Sequence, residues 1–436
     1  MTTAQQATAT THTARQFHLD RSTITGLMFG IIGVALIAGV APAIDNTTRR
    51  FNLERPPDPA GIGFNPPTWI IAIGVFYLIT AALGIGPQQA QRWASHARVL
   101  SALGLVPLVL VLSLALSDKA GTNVVILLSE SLFLATPLAL GATTGLWSER
   151  AGIINIGIEG TMLSSAGVGY MTYALLGEAN STGWLWFSIV IAVLAGGLVA
   201  ALLAVLSIRF NVNQIVSGVV INLFALGLTG FLRSEVIFRT GNTSGVRTSE
   251  IGLPLLSSIP VIGEQLFTSR PIYWMMYLIV FSTWLVMYRT PWGLRVRACG
   301  ENPHAAETLG INVLRIRYQS VILGGLIAGL AGAWFSMESQ GGFEDNMTNA
   351  AGFIALAALI FGKWTPWGAF AGALLFGFSR ALGTRLQFLG VEVSGFEIPS
   401  EFFQSLPFVV TLVVVAGAVG RSVGPAAAGT PFSTSK

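Results

Sequence analysis

Apolar runs close to the length of a bilayer crossing recur along almost the whole chain, and they constrain the fold more than any other feature. A membrane-spanning helix needs roughly 20 mostly apolar residues, and such runs start near positions 24, 69, 99, 123, 151, 184, 213, 272, 319, 350, 366 and 407. Only 10% of the 436 residues are charged, against about 25% in soluble domains, so these runs are not the cores of a soluble protein. The expected fold class is an all-α, polytopic membrane protein with about 10–12 transmembrane helices, some broken at glycine or proline. The runs at 350–362 and 407–420 are short and read as half-crossing or irregular segments.

Lys and Arg in short loops set the orientation. With the N-terminus inside, the inner segments hold Arg15, Arg21, Arg92, Arg98, Arg150, Arg209, Arg289, Arg295, Arg297, Arg315, Arg317, Lys363, Arg421 and Lys436, about 14 of the 24 basic residues. Both termini are then expected in the cytoplasm. Acidic residues such as Asp45, Glu54, Asp58, Glu344 and Asp345 gather on the outer side. The Ala41-Pro42-Ala43 step after the first apolar run resembles the end of a signal peptide, but the run Ile24 to Val40 is long and follows a polar tail, which fits a first span. The largest polar loop, Arg233 to Arg270, is rich in Gly, Ser, Thr and Pro and reads as an ordered loop rather than a domain.

Enzyme chemistry finds no support in the motifs. Cys299 is the single cysteine, which excludes a disulfide framework or a Cys-based metal site within one chain. There is no GxxxxGK[ST] loop, since Phe361-Gly362-Lys363-Trp364 lacks both the spacing and the magnesium-binding hydroxyl. HExxH and GxSxG are also absent. The formal charge of +4 is scattered through loops and forms no nucleic-acid stripe. A transporter remains, driven by an ion gradient or by a partner that hydrolyses ATP; no metal or cofactor is expected in this chain.

The stretch RACGENPHAAETLGINVLRIR, from Arg297 to Arg317, is a polar island. Asn302 followed by Pro303 starts a helix, because Asn caps free N–H groups and Pro is tolerated in the first turn. Gly310 stops it. The helix Pro303 to Leu309 is too short to stand alone in water, so something holds it. It is either an amphipathic connector on the membrane surface or a docking peg for a cytoplasmic partner.

A second stretch, GLWSERAGIINIGIEG from Gly145 to Gly160, places Asn155 and Glu159 four residues apart, on one face if the segment is helical. Glycine-interrupted helices are a way of building binding sites inside the membrane, and a carboxylate there is a functional candidate. Glu159 either lines a translocation path or fixes packing by bonding a neighbouring helix. Glu130 and Asn222 carry the same two readings. The Ala350 to Leu374 stretch repeats the pattern of small residues around a Gly/Pro break, which suggests an internal pseudo-repeat.

At these residues the chain resembles the permease subunits of bacterial ABC importers that include the branched-chain amino acid and ribose-type systems. The resemblance runs through Gly300-Glu-Asn-Pro-His-Ala-Ala-Glu-Thr-Leu-Gly-Ile-Asn312, then Gly324-Gly-Leu-Ile-Ala-Gly-Leu-Ala-Gly332, and covers roughly residues 125 to 420. It implies a type II ABC-importer-like permease fold, with Asn302, Pro303, His304, Ala305, Ala306, Glu307, Leu309 and Gly310 forming the helix that couples to the ATPase. Asn155, Glu159, Asn222 and Glu130 are the translocation-path candidates. GLWSERAGIINIGIEG and Asn213 to Asn222 are more similar to the nucleoside-importing members, with a simple sugar or a branched-chain amino acid as alternatives. An alternative of another class is a proton-coupled secondary transporter using Glu159.

The implied partners are a cytoplasmic ATPase that carries ATP and Mg, a second permease chain, the same or related, an extracytoplasmic substrate-binding protein and the lipid bilayer. The implied location is the bacterial inner or plasma membrane. The organisation reads as a cytoplasmic tail (1–22), an extra N-terminal transmembrane region (23–120), a core permease domain (121–421) with a coupling loop (289–318), and a C-terminal tail (422–436).

Overall fold

The computed structural model describes residues 21–52, 61–85, 111, 121–176, 181–237, 245–260, 262–389, 392–393, 396–397, 399–405, 407–408 and 422–433. The expected spans near 99 and 407, most of the N-terminal tail, and the basic residues Arg15, Arg92, Arg98, Arg421 and Lys436 lie outside the described residues.

Contacts divide the chain into two units. The first comprises Met1–Thr47, Asn65–Leu112 and Ala416–Ala418. It holds α1 (Arg21–Ala35), continued by a π-helical turn Leu36–Val40, and α2 (Pro66–Ile85). The two helices pack through a stacked Phe29–Tyr77 pair with ring centroids 5.2 Å apart.

The second unit comprises Thr48–Phe64, Ser113–Val415 and Val419–Lys436. Strands β1 (Arg49–Asn52), β2 (Gly61–Phe64) and β3 (Gly121–Asn123) form a sheet of order β2-β1-β3, with β1 antiparallel to β2 and parallel to β3. The helices are α3 (Val124–Arg150), α4 (Ile158–Leu176), α5 (Thr182–Ala204), α6 (Gln214–Leu232) and a short α7 (Gly263–Phe267). After them come α8 (Pro271–Arg289), α9 (Pro291–Glu301), α10 (Pro303–Thr308), α11 (Val313–Ala333), α12 (Ala351–Phe361), α13 (Pro366–Leu389) and α14 (Ser400–Gln404).

Among the described residues, 7 helical segments are long and apolar enough to cross a membrane: Gly26–Ala43, Pro66–Leu83, Val125–Arg150, Thr182–Arg209, Gln214–Val236, Pro271–Arg289 and Val313–Ser339. They match seven of the runs read from the sequence. The run expected from 151 begins as a helix only at Ile158, and α4 buries most of its residues inside the protein rather than against lipid. The run from 366 is α13, long enough to span but interrupted by Arg380 and Arg385. The run from 350 is the 11-residue α12. This chain is therefore a mostly helical, multi-pass membrane protein.

Inside a bilayer the hydrophobic effect does not press helices together, so close van der Waals contact must. Helices α5 and α11 meet at Gly196 and Gly325, where an added Cβ on Gly325 would sit 2.2 Å from the Ala200 Cβ. Polar residues of the buried α3 satisfy themselves. Ser131, Thr143, Thr144 and Ser148 each donate to the carbonyl four residues earlier, which removes the cost of an unpaired hydroxyl. The largest core joins α3, α4, α11, α12 and α13 through Leu138, Met162, Leu330, Ala355 and Phe376.

Candidate translocation site

Helix α3 ends where Gly152 takes φ +93, a conformation that only glycine adopts without strain. The chain then runs without helix until α4 starts at Ile158. Asn155 is on that non-helical run, so the expectation that it shares a helical face with Glu159 does not hold. Its Nδ2 donates to Ser148 Oγ at 3.3 Å, while its Oδ1 is buried without a partner among the described residues.

Backbone polar groups within a membrane must be paired inside the protein, and α6 does this for the break. Gln214 Oε1 accepts from the Ile154 amide at 2.7 Å. Asn222 Oδ1 accepts from the Gly160 amide at 2.7 Å, and its Nδ2 donates to the Ile156 carbonyl at 3.0 Å. Asn222 is thus a clamp on the broken segment.

Glu159 is 7% exposed and points at another helix start. Its Oε1 accepts from Thr348 Oγ1 at 2.6 Å and from the Ala350 amide at 2.9 Å, and its Oε2 accepts from the Gly352 amide at 2.6 Å. A carboxylate on free amides at the positive end of a helix is stabilising on both counts. No side chain fits between them, because a Cβ on Gly352 would lie 2.5 Å from the Glu159 nitrogen. The other end of α12 is held from the same region: Arg150 Nε and Nη2 donate to the Trp364 carbonyl at 2.9 and 2.7 Å, and Trp364 Nε1 donates to Glu149. The two glycine-broken regions singled out in the sequence are joined at both ends of α12.

Beside this joint lies a cavity of about 400 Å³, lined by Asn349, Arg380, Thr384, Gln387, Glu401 and Gln404 among others. Arg380 lies within the electrostatic reach of Glu159. Among the described residues no hydrogen bond or ion pair occupies the Arg380 guanidinium. None of these residues was singled out from the sequence, although a signal exists: Arg380, Thr384 and Gln387 recur at i, i+4 and i+7 on an otherwise apolar helix. Glu130 is not at this joint; it lies near Arg385.

Helix α10 starts as its sequence suggests. Asn302 Oδ1 accepts from the Ala305 amide at 3.0 Å, and Gly310 turns the chain at φ +77. The helix does not present all of its expected docking residues. Pro303 and Ala306 are buried in the protein's own core, Glu307 is half-buried, and His304, Ala305 and Leu309 face outward, Leu309 at 81% exposure. Ala306 therefore belongs to the foundation of the helix, since it is buried in one apolar cluster with Val296, Val313 and Phe432.

Two further features left no local mark in the sequence. The C-terminal segment 422–433 straps this end of the molecule: Ser422 Oγ donates to Ile360 O at 2.8 Å, Ala427 N to Gly300 O at 2.9 Å, and Gly429 N to Gly152 O at 3.2 Å. Phe432 then packs 5.1 Å from the His304 ring. Burial in the cluster that Phe432 joins pushes the Cys299 thiol up to about 11. At the other end, the fully buried Glu338, aimed by a π-helical turn Trp334–Ser339, accepts from the Ile272 and Tyr273 amides at 3.0 and 3.4 Å and so caps α8.

Residues 127–415 match the family described as branched-chain amino acid transport system / permease component. The nucleoside ABC transporter permease protein NupC of Lactococcus lactis subsp. cremoris is 39% identical over 320 residues, which cover 71% of this chain and 98% of the relative. The guanosine ABC transporter permease protein NupQ of Bacillus subtilis is 36% identical over 317 residues, 71% of this chain and 97% of the relative. No solved structure matches the chain.

Proposed function

Because this chain belongs to the branched-chain amino acid transport permease family, we propose that it is the membrane subunit of an ATP-driven importer that carries nucleosides. The observation that carries the substrate is the likeness, along almost their whole lengths, to relatives named for nucleosides and guanosine. The cavity chemistry agrees with it. Asn349, Gln387 and Gln404 each offer donors and acceptors suited to ribose hydroxyls and base edges, and Phe403 and Phe408 in the same lining offer faces for a base.

In this reading both termini are cytoplasmic, and a separate ATPase seats the outward face of α10. A second permease chain completes the passage, and a substrate-binding protein delivers the nucleoside from outside. Movement of α10 passes to the two breaks through Glu301, whose carboxylate lies 3.6 Å from Arg150, and through the strap at Gly300 and Gly152. Alternating access follows if ATP-driven closure biases one arrangement of these elements over another. Glu159 serves as a positioning residue: its oxygens are filled by three donors, which leaves the proton-coupled alternative without a group open to water at that position.

Uptake of labelled adenosine into cells producing this chain with its ATPase, partner permease and binding protein tests the reading. Uptake competed by unlabelled uridine or guanosine, and not by ribose or leucine, is the expected result. Competition by ribose or leucine alone would overturn the substrate assignment.

A further inference from the structure

Five arginines flank the loop between the spans that end at Arg289 and begin at Val313. Three have aromatic partners within the chain. Arg289 lies 5.4 Å from the Trp284 ring, Arg297 lies 4.9 Å from the Tyr288 ring, and Arg317 lies 5.6 Å from the Phe432 ring. Arg295 and Arg315 are exposed, and among the described residues neither guanidinium has a hydrogen-bond, ion-pair or ring partner. Both open onto one groove.

That groove consists of two hollows of about 910 and 640 Å³ that share Trp292, Arg315 and Gln319. Trp292 Nε1 donates to Gln319 Oε1 at 3.3 Å and closes its floor. From Arg315 the groove continues along α11 to Ile322 and Leu323. At 1.5 Å per residue, Leu323 lies about 12 Å along α11 from Arg315. No Asp or Glu lines either hollow.

A cationic mouth with a Trp and a Tyr at the helix end, opening onto an apolar wall that continues along α11 to Leu323, selects a ligand with an anionic head and a hydrocarbon tail. A soluble anion would satisfy the arginines and leave the wall unused. A neutral lipid would cover the wall and leave two cations unpaired. We propose that this groove binds an anionic phospholipid, its phosphate between Arg295 and Arg315 and an acyl chain along Gln319 to Leu323.

The test is native mass spectrometry of the full-length chain in detergent, titrated with phosphatidylglycerol or phosphatidylcholine of identical acyl chains. Phosphatidylglycerol should be retained at least tenfold more than phosphatidylcholine. The R295Q/R315Q double variant should lose that preference, whereas R209Q, at the exposed end of another span, should keep it. Because both arginines are exposed, the variants should elute and melt as the parent does; Leu323→Trp, which fills the tail wall, gives a second variant that should lower phosphatidylglycerol retention. Equal retention of the two lipids, or a preference that survives R295Q/R315Q, would overturn the proposal. So would displacement by inorganic phosphate, which marks a soluble-anion site, or displacement by the added ATPase subunit, which marks a protein seat.

Discussion

Helix α10 begins under Asn302, a side chain three residues before the amide it accepts and exposed to water. Helix α12 begins under the Glu159 carboxylate, which comes from 189 to 193 residues away and is buried. The first cap orders only its own helix and contributes about 1 kcal/mol. The second does the work of a cap and also fixes where α4 stands against α12. Glu338 does the same for α8, across 65 or 66 residues. In a bilayer, where nothing squeezes helices together, buried polar caps locate one helix on another.

Breaking the long-range cap should have the largest effect. Glu159→Ala strands buried donors of Thr348, Ala350 and Gly352, costing roughly 3–5 kcal/mol, and should cut nucleoside uptake by about 10²-fold while the ATPase subunit still co-purifies. Equal loss of uptake and of ATPase binding would place Glu159 in general folding instead. Next comes Arg150→Gln, which weakens the hold on the Trp364 carbonyl by about 1.5–3 kcal/mol. It should lower the melting temperature less than Glu159→Ala does.

The local cap should matter less for stability and differently for function. Asn302→Ala should cost about 1 kcal/mol, nearly invisible in thermal melting, yet should reduce uptake while ATP hydrolysis by the assembled transporter continues. Loss of both together would mean that α10 seats the ATPase without transmitting its closure. The smallest effect concerns the strap. Cys299, fully buried and with its thiol pushed up by that burial, should resist maleimide in the intact chain and become labelled when residues after Arg421 are deleted.

The same contrast explains what could be read from the residues in order. Asn302-Pro303 and Gly310 announced α10 because cap, helix and stop lie within nine residues. The glycines around Glu159 announced a break. They did not announce that its carboxylate would meet Thr348 to Gly352, because a partner 189 residues away leaves no local pattern. The inward face of Ala306 was hidden for a related reason: the cluster it joins includes Phe432, which arrives from the C-terminal strap. Arg380, Thr384 and Gln387 were legible by spacing, but the apolar residues around them read as membrane span.

We propose that this chain moves its substrate only when another subunit's ATP cycle drives α10. The direct measurement is adenosine transport into proteoliposomes, comparing the chain alone with the chain reconstituted with its ATPase, partner permease and binding protein, with and without a protonophore. Transport that needs ATP and the full set, and that ignores the protonophore, is the expected result. Transport by the lone chain, abolished by the protonophore, would contradict it.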